Sequence, residues 1–103
     1  MLTESTKKYI QKQIDDGFIE CELPMYMKEP VENWVFHGIP GGGFLTALLT
    51  NNLKETFTRA DSNNKRKVYN WVRFIIWSLP SSCQGSEEKV NNWMEQHKAH
   101  VED

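Results

Sequence analysis

The most constraining feature of this sequence is a stripe of apolar residues between positions 68 and 79. Its members follow the i, i+3, i+4, i+7, i+8, i+11 spacing of one helix face: Val68, Trp71, Val72, Ile75, Ile76 and Leu79. Pro80 ends the helix, because proline cannot donate the backbone hydrogen bond that would continue it. The stripe predicts an amphipathic helix that buries one side against the rest of the chain.

The same helix carries a second set of apolar residues away from this stripe. Tyr69, Phe74 and Trp77 are all aromatic, and they fall on other sides of the helix. A helix with apolar residues on two sides has two surfaces to bury. In so short a chain, the simplest second cover is another copy of the same protein. We therefore expect a homo-oligomer, either a dimer or a tetramer, in which a partner partly covers these three residues.

The first third of the chain predicts two helices joined by an extended segment. Residues 4–16 have apolar side chains at helical spacing, and Gly17 predicts the end of that helix. Residues 18–23 then alternate with the period of two that is typical of a strand. A second helix begins near Pro30, since proline is tolerated in a first helical turn, and it stops at Gly38.

The rest of the chain predicts three further helices, of which the stripe forms one. Residues 43–60 repeat apolar side chains at three- and four-residue intervals: Phe44, Leu45, Leu48, Leu49, Leu53 and Phe57. Asp61 and Ser62 can cap the helix of the stripe, and Ser86 can cap the last helix. We therefore predict a mainly α fold, a small bundle of about five helices with a short extended segment near residues 18–23. The 103 residues are expected to form a single small helical domain.

Composition limits the partners that such a chain can bind. Hydrophobic residues make up 39% and aromatic residues 12%, which is typical of a globular chain and not of a disordered one. The formal net charge of −2 argues against a long nucleic acid as the partner. Residues 54–73 nevertheless carry six basic and two acidic side chains. A basic patch of this size suits a small anionic ligand.

The sequence also bears on where the protein is expected to be found. Residues 1–10 lack the charged-then-apolar pattern of a signal peptide, and no apolar run approaches the roughly 20 residues that span a bilayer. Cys21 and Cys83 are far apart and form no CxxC motif. We therefore expect a soluble cytosolic protein with no membrane partner and with reduced thiols.

Three consecutive glycines, Gly41, Gly42 and Gly43, stand directly before the third predicted helix. Backbone N–H groups at the start of a helix lack internal partners, and the missing Cβ lets phosphate oxygens approach them. The alternative is a plain corner, in which Gly38 ends one helix and Pro40 prevents its continuation. The nearby polar residues that could join a phosphate site are His37, Asn51, Lys54 and Arg59. For His37, the alternative is a histidine that satisfies free carbonyls at a helix end.

The sequence contains no recognisable catalytic constellation. Ser81, Ser82 and Cys83 could act as nucleophiles, but no GxSxG elbow surrounds them. His97 and His100 are three residues apart, as in half of a metal site, but without a third ligand they predict a solvated helix face. We therefore predict that the protein is not an enzyme and that it uses no cofactor and no metal.

Residues 34–95 carry an ordered set of short motifs. These are a helix ending in HGI, a PGGGFL run, an apolar helix with NNLKE, then RAD and an asparagine, an aromatic-rich helix ending in proline, CQGSEEKV and a tryptophan. The residues concerned are 37–45, 51–55, 59–61, Asn64, Pro80, Cys83, Gly85, Ser86, Glu88, Val90 and Trp93. This order resembles a widespread family of small proteins from bacteriophages and prophages. Asn52 stands where the family pattern has an aspartate, and Gln84 stands where it has a tryptophan. Residues 1–33, an N-terminal helix and extended arm, lie outside the resemblance, whereas residues 34–95 form the family core.

The resemblance and the basic patch together point to a small non-enzymatic protein that is similar to phage nucleotide sponges. Such sponges bind and hold second messengers of antiphage defence, among them the cyclic dinucleotides of CBASS. The resemblance therefore implies a protein of the host cytoplasm that sequesters a cyclic dinucleotide without cleaving it. The ligand-binding residues expected on this basis are Trp34, His37, Gly41, Gly42, Gly43, Phe44, Asn51, Lys54, Arg59 and Asn64. The alternatives are a phage inhibitor that acts by protein–protein contact and a small nucleic-acid-binding modulator.

Overall fold

The first helix, α1, continues past the glycine that was expected to end it. In the computed structural model, which describes the backbone of residues 2–102 and the side chains of residues 2–98, α1 runs from Glu4 to Glu20. The remaining elements are a 3-10 turn at Met25–Met27, α2 at Lys28–His37, α3 at Gly43–Leu49, α4 at Leu53–Arg59, α5 at Ser62–Arg66, α6 at Val68–Ser78, a 3-10 turn at Ser81–Cys83 and α7 at Glu87–Glu102. The expected mainly α fold is confirmed, with seven α-helices and no strand within the described residues, where about five helices were predicted.

The extended segment predicted at residues 18–23 is wrong, because residues 18–20 complete the last turn of α1. The apolar residues that fix this helix are Ile10, Ile14, Phe18 and Cys21, all buried at helical spacing. Gly17 lies on the same side and brings α1 close to α6. A Cβ atom at this glycine would lie 2.6 Å from the ring of Phe74, so the glycine is needed for contact between helices and not to end one.

The single helix predicted over residues 43–60 is broken into α3 and α4. Asn51 takes a left-handed backbone conformation with φ 63°, which asparagine tolerates better than most residues. Asn52 then caps α4, because its side chain accepts a 3.2 Å hydrogen bond from the backbone N–H of Glu55. Beyond the break the apolar residues of the 43–60 pattern no longer face the core, and Leu53 and Phe57 are exposed.

The helix of the stripe also has a break, at Lys67, which separates the short α5 from α6. The predicted cap at Asp61 is confirmed, since its carboxylate accepts a 2.8 Å hydrogen bond from the backbone N–H of Asn64 at the start of α5. The stripe itself is only partly buried. Val68, Trp71, Ile75 and Leu79 face the core, whereas Val72 and Ile76 are exposed.

Trp71 on α6 lies at the centre of the core and is fully buried. Three rings pack against it edge-to-face, with centroid distances of 5.8 Å to Phe18, 5.7 Å to Phe44 and 5.9 Å to Phe74. Its indole N–H donates a 2.9 Å hydrogen bond to the side-chain oxygen of Asn64. Phe74 therefore belongs to the core of one chain, and the expectation that a second chain covers it is wrong.

The end of α2 and the start of α7 both follow their predicted signals. Gly38 ends α2 in a left-handed conformation with φ 65°, and the backbone N–H of Ile39 closes the turn with a 3.2 Å bond to the carbonyl of Asn33. Ser86 caps α7, because its hydroxyl oxygen accepts a 3.1 Å bond from the backbone N–H of Lys89. Within residues 2–102, no helix has the length and apolar character needed to cross a membrane.

Candidate ligand site at the glycine corner

The three glycines form an open corner between α2 and α3, but the reason why glycine is required differs from one position to the next. Gly42 has φ 97° and is exposed, and a Cβ atom added there would meet nothing within 4 Å. Its backbone conformation alone therefore favours glycine. Gly41 is closely packed instead, since a Cβ atom would lie 2.6 Å from a methyl carbon of Leu45.

Gly43 is needed because Arg59 lies directly across it. A Cβ atom at Gly43 would be 2.6 Å from Cδ of Arg59 and 3.2 Å from its Nη1. Arg59 comes from the last turn of α4, and the break at Asn51 and Asn52 is what returns α4 to the start of α3. The corner therefore combines an exposed backbone with a guanidinium group that crosses it.

Glu55 fixes the position of this guanidinium group. Its carboxylate accepts a 2.9 Å hydrogen bond from Nε of Arg59, one turn away on the same face of α4. The bond uses Nε, and among the described residues Glu55 is the one bonded partner of Arg59. The two terminal nitrogens of the guanidinium group remain available as donors on the side of Gly43.

Two shallow, open hollows flank Arg59. One lies beside Gly43 and Thr58, and the other lies beside Gly42, Thr46, Thr50 and Asn52, with Glu55 and Arg59 lining both. The hydroxyl of Thr50 is already used, because it donates a 2.8 Å bond to the carbonyl of Thr46. The side-chain oxygen of Asn52 is the acceptor in the helix cap, so the NH₂ group of the same amide remains available as a donor.

Three of the predicted site residues are buried in the core. They are Trp34, Phe44 and Asn64. Phe44 packs against Trp71, and Asn64 accepts the indole hydrogen bond described above. Trp34 donates its own indole hydrogen bond to the carbonyl of Cys83 at 3.0 Å. The structure thus gives each of these residues a role in packing, and of the three Phe44 alone lines a hollow at Arg59, with 7% of its surface exposed.

Three further predicted residues are exposed but lie away from the two hollows at Arg59. His37 is at the end of α2, Asn51 is at the break after α3, and Lys54 is in the first turn of α4. The separation of Lys54 from Arg59 follows from their spacing, because five residues on a helix correspond to roughly 140° of rotation. The structure therefore brings together Gly42, Gly43 and Arg59 from the predicted set, and the small exposed part of Phe44 lines the hollow beside Gly43.

Sequence reasoning missed Glu55, Thr46 and Asn52 as residues of the corner. The i, i+4 spacing of Glu55 and Arg59 was a usable sign of the ion pair between them. Thr46 and Asn52 had no such sign, because their proximity depends on the break between α3 and α4. No sequence periodicity would have placed them next to Arg59.

A third hollow, more apolar than the two at Arg59, lies between α4 and α6. It has a volume of about 260 Å³. Leu53 from α4 and Val72 and Ile76 from α6 form its exposed walls, and Leu48 and Ile75 lie beneath them. Gln84 also lines this groove.

Of the residues considered for catalysis or metal binding, Cys83 and His97 are buried in the core, whereas Ser81 and Ser82 are exposed. Burial raises the pKa of the Cys83 thiol to about 12, so the thiol stays protonated near neutral pH. His97 is buried, which makes the predicted solvated face wrong at this position, and its Nδ1 lies 3.0 Å from the carbonyl of Trp93. The side chain of His100 lies outside the described residues. Among those that are described, no three His, Cys, Asp or Glu side chains come together as a metal site.

Comparison of the chain with protein-family models, with curated proteins and with solved structures gave no match. The candidate site therefore stands on its geometry alone.

Proposed function

We propose that this protein binds a phosphate-bearing nucleotide at the glycine corner and holds it without converting it, as a nucleotide sponge does. The observation that supports this proposal is the guanidinium group of Arg59, which crosses Gly43 beside an exposed backbone. The proposed ligand class is a cyclic dinucleotide, which presents two phosphates to such a corner. Sequestration needs stoichiometric binding and no turnover.

The chemistry of the corner suits a phosphate. Arginine presents planar N–H donors that match two phosphate oxygens at once. Glu55 holds Nε and so reduces the freedom that Arg59 would lose on binding. The cost is the nearby negative charge of Glu55, which lowers the local positive potential. We therefore expect the affinity to fall as salt is added, because both charges are exposed to solvent.

The bases of the nucleotide have no exposed aromatic ring to stack on at this corner, since Phe44 is buried. We expect the phosphates to provide most of the affinity. A cyclic dinucleotide and its linear counterpart should then bind with similar strength, whereas an uncharged nucleoside should not bind.

A second candidate function is inhibition of another protein by surface contact. The observation that favours it is the exposed apolar surface around Leu53, Val72 and Ile76. Arg59, Gly42 and Gly43 do not line this groove, so the two candidates can be tested separately.

The test is calorimetric titration with cyclic di-GMP, cyclic di-AMP, linear pApA and inorganic phosphate, with thermal unfolding measured in parallel. A ligand that binds the native state should raise the melting temperature by several degrees at saturation. Arg59→Ala should weaken binding at least tenfold, about 1.4 kcal/mol. Lys54→Ala is the matched control, because it removes one exposed positive charge from the same helix without touching the corner. Equal effects of the two substitutions, or no binding of any nucleotide by the unaltered protein, would contradict the proposal.

Gly43→Ala provides a second, independent variant. Gly43 is the first residue of α3, and the atoms nearest to its added methyl group would be those of the flexible side chain of Arg59. The fold should survive while Arg59 is displaced, so affinity should fall and the melting temperature should change little. Bound nucleotide released by denaturation should be chemically unchanged, and recovery of a cleaved product would contradict sequestration.

A further inference from the structure

The outward face of α6 is almost as apolar as its buried face. At 100° per residue, Tyr69, Val72, Arg73, Ile76 and Trp77 fall within roughly 140° of arc on the side away from the core. All five are exposed, and Arg73 is the one charged residue among them. A helix that is apolar all round is normally buried all round.

This outward face continues across the groove onto α4. Leu53 lines the same groove as Val72 and Ile76, and Phe57 follows Leu53 one turn later. The whole surface, called the α4–α6 face below, consists of six exposed side chains: Leu53 at 67% exposure, Phe57 at 44%, Tyr69 at 68%, Val72 at 41%, Ile76 at 58% and Trp77 at 79%.

The size of the α4–α6 face is that of a protein interface. If a large apolar side chain has about 150–250 Å² of surface, the exposed fractions leave roughly 700 Å² open to solvent. The largest apolar patch on a typical monomer is about 300–600 Å². A partner in a standard interface contributes about 800 Å², close to a tenth of a small protein's surface. Roughly 700 Å² is also about a tenth of the 6465 Å² of surface on this chain.

We propose that a second copy of the chain covers the α4–α6 face, in a two-fold contact in which the face packs against itself. The face has no pattern of charge that would select an oppositely charged partner. A two-fold contact needs only that one apolar patch fit its own copy. The aliphatic part of Arg73 adds to the apolar surface, while its head group can extend between the neighbouring rings of Tyr69 and Trp77 to solvent. This proposal is independent of the nucleotide proposal, because Arg59 and the glycine corner are not part of the face.

The test is sedimentation equilibrium of the full chain, with folding checked by circular dichroism. The unaltered protein should be a dimer or a larger even-numbered assembly at tens of micromolar. Ile76→Glu should give a folded monomer, because it places a charge inside the contact. Ile19→Glu is the matched control, since Ile19 is also an exposed isoleucine, at 73%, but lies on α1 and does not line the groove between α4 and α6. This control should associate like the unaltered protein.

Leu53→Glu is a second variant on the other helix of the face, and it decides the matter if Ile76→Glu does not fold. A folded Leu53→Glu protein that remains a dimer would overturn the proposal. A monomeric unaltered protein at hundreds of micromolar would also overturn it, and would leave the face to a different partner. Loss of association in Ile19→Glu as well would show that the contact lies elsewhere.

Discussion

The indole N–H of Trp93 donates a 3.1 Å hydrogen bond to the backbone carbonyl of Trp34. Trp34 in turn donates its own indole N–H to the carbonyl of Cys83, so the two rings connect α7, α2 and the loop before α7. Trp93→Phe and Trp34→Phe should each lower the free energy of unfolding by about 1–3 kcal/mol, because each loses a buried hydrogen bond and part of a packed ring. Urea denaturation measures this change. Tyr9→Phe, at an exposed ring, should stay within about 0.5 kcal/mol, and equal values for all three variants would contradict the assignment.

Gly17→Ala should destabilise the protein even though alanine is the better helix former. The new methyl group would lie 2.5 Å from the hydroxyl of Ser78 and 2.6 Å from the ring of Phe74, which is fully buried and cannot move aside. Overpacking of this kind costs about 1–3 kcal/mol, which exceeds the gain of about 1 kcal/mol in helix propensity. The melting temperature should therefore fall. Glu20→Ala, on the exposed side of the same helix, serves as the control, and a rise in the melting temperature of Gly17→Ala would show that α1 and α6 are not in such close contact.

Asp61 should be a more important helix cap than its exposure suggests. Its carboxylate accepts bonds from the hydroxyl of Tyr26 and from the backbone N–H of Asn64. These bonds, the one from Tyr26 first, hold the pKa of Asp61 below its ordinary value of 3.8. Asp61→Ala should lose about 1 kcal/mol of stability near neutral pH, and Asp61→Asn should lose less because it keeps an acceptor for the helix.

The pH dependence of that contribution has a definite sign. A carboxyl group whose pKa is lower in the folded than in the unfolded protein stabilises the fold when the pH is above its unfolded-state pKa. It loses this contribution as the pH falls through its folded-state pKa. The difference in stability between the unaltered protein and Asp61→Asn should therefore shrink on acidification below about pH 3.8. Thermal unfolding across that range measures the difference, and a gap that widens on acidification would contradict the assigned hydrogen bonds.

Cys83 should be unreactive in the folded protein. Burial raises its pKa from 9.0 to about 12, and its Sγ donates to the carbonyl of Pro80 at 3.2 Å. A Cys21→Ser variant leaves Cys83 as the single thiol, which should react with DTNB only after unfolding. Because the unfolded state loses this proton first, stability should decline as the pH rises above about 9. Rapid labelling of the native variant would show that the thiol is accessible.

Three of the helix ends were predictable because their signals are local. Gly38, Asp61 and Ser86 act on backbone groups within a few residues, and all three fulfil the predicted role. The end of α1 was not predictable, since the role of Gly17 depends on Phe74, far away in the sequence. A glycine within a helix pattern has the same local appearance whether it ends the helix or makes room for another one.

For a related reason, the sequence predicted individual residues of the candidate site but not the arrangement that brings them together. If residues 43–60 formed one straight helix, Gly43 and Arg59 would be roughly 24 Å apart. The break at Asn51 brings them into contact. This break was not predictable, because the apolar pattern of residues 43–60 continues through it without interruption. Trp34 and Phe44 were expected at the ligand from the resemblance, but large aromatic side chains are also typical of a core, and both are buried there.

The hydrogen bonds that join α1, α2 and α7 to the rest of the core link distant parts of the sequence. Asn70 bonds to the carbonyl of Cys21 across 49 positions, and Trp93 bonds to that of Trp34 across 59. An all-helical chain usually folds fast because most of its contacts are local. Here the apolar sides of α1 and α2 can be buried only after α6 and α7 have been synthesised and have left the ribosome. The nascent chain should therefore expose these surfaces during synthesis, and refolding should be slower than for an up-and-down helical bundle of the same length.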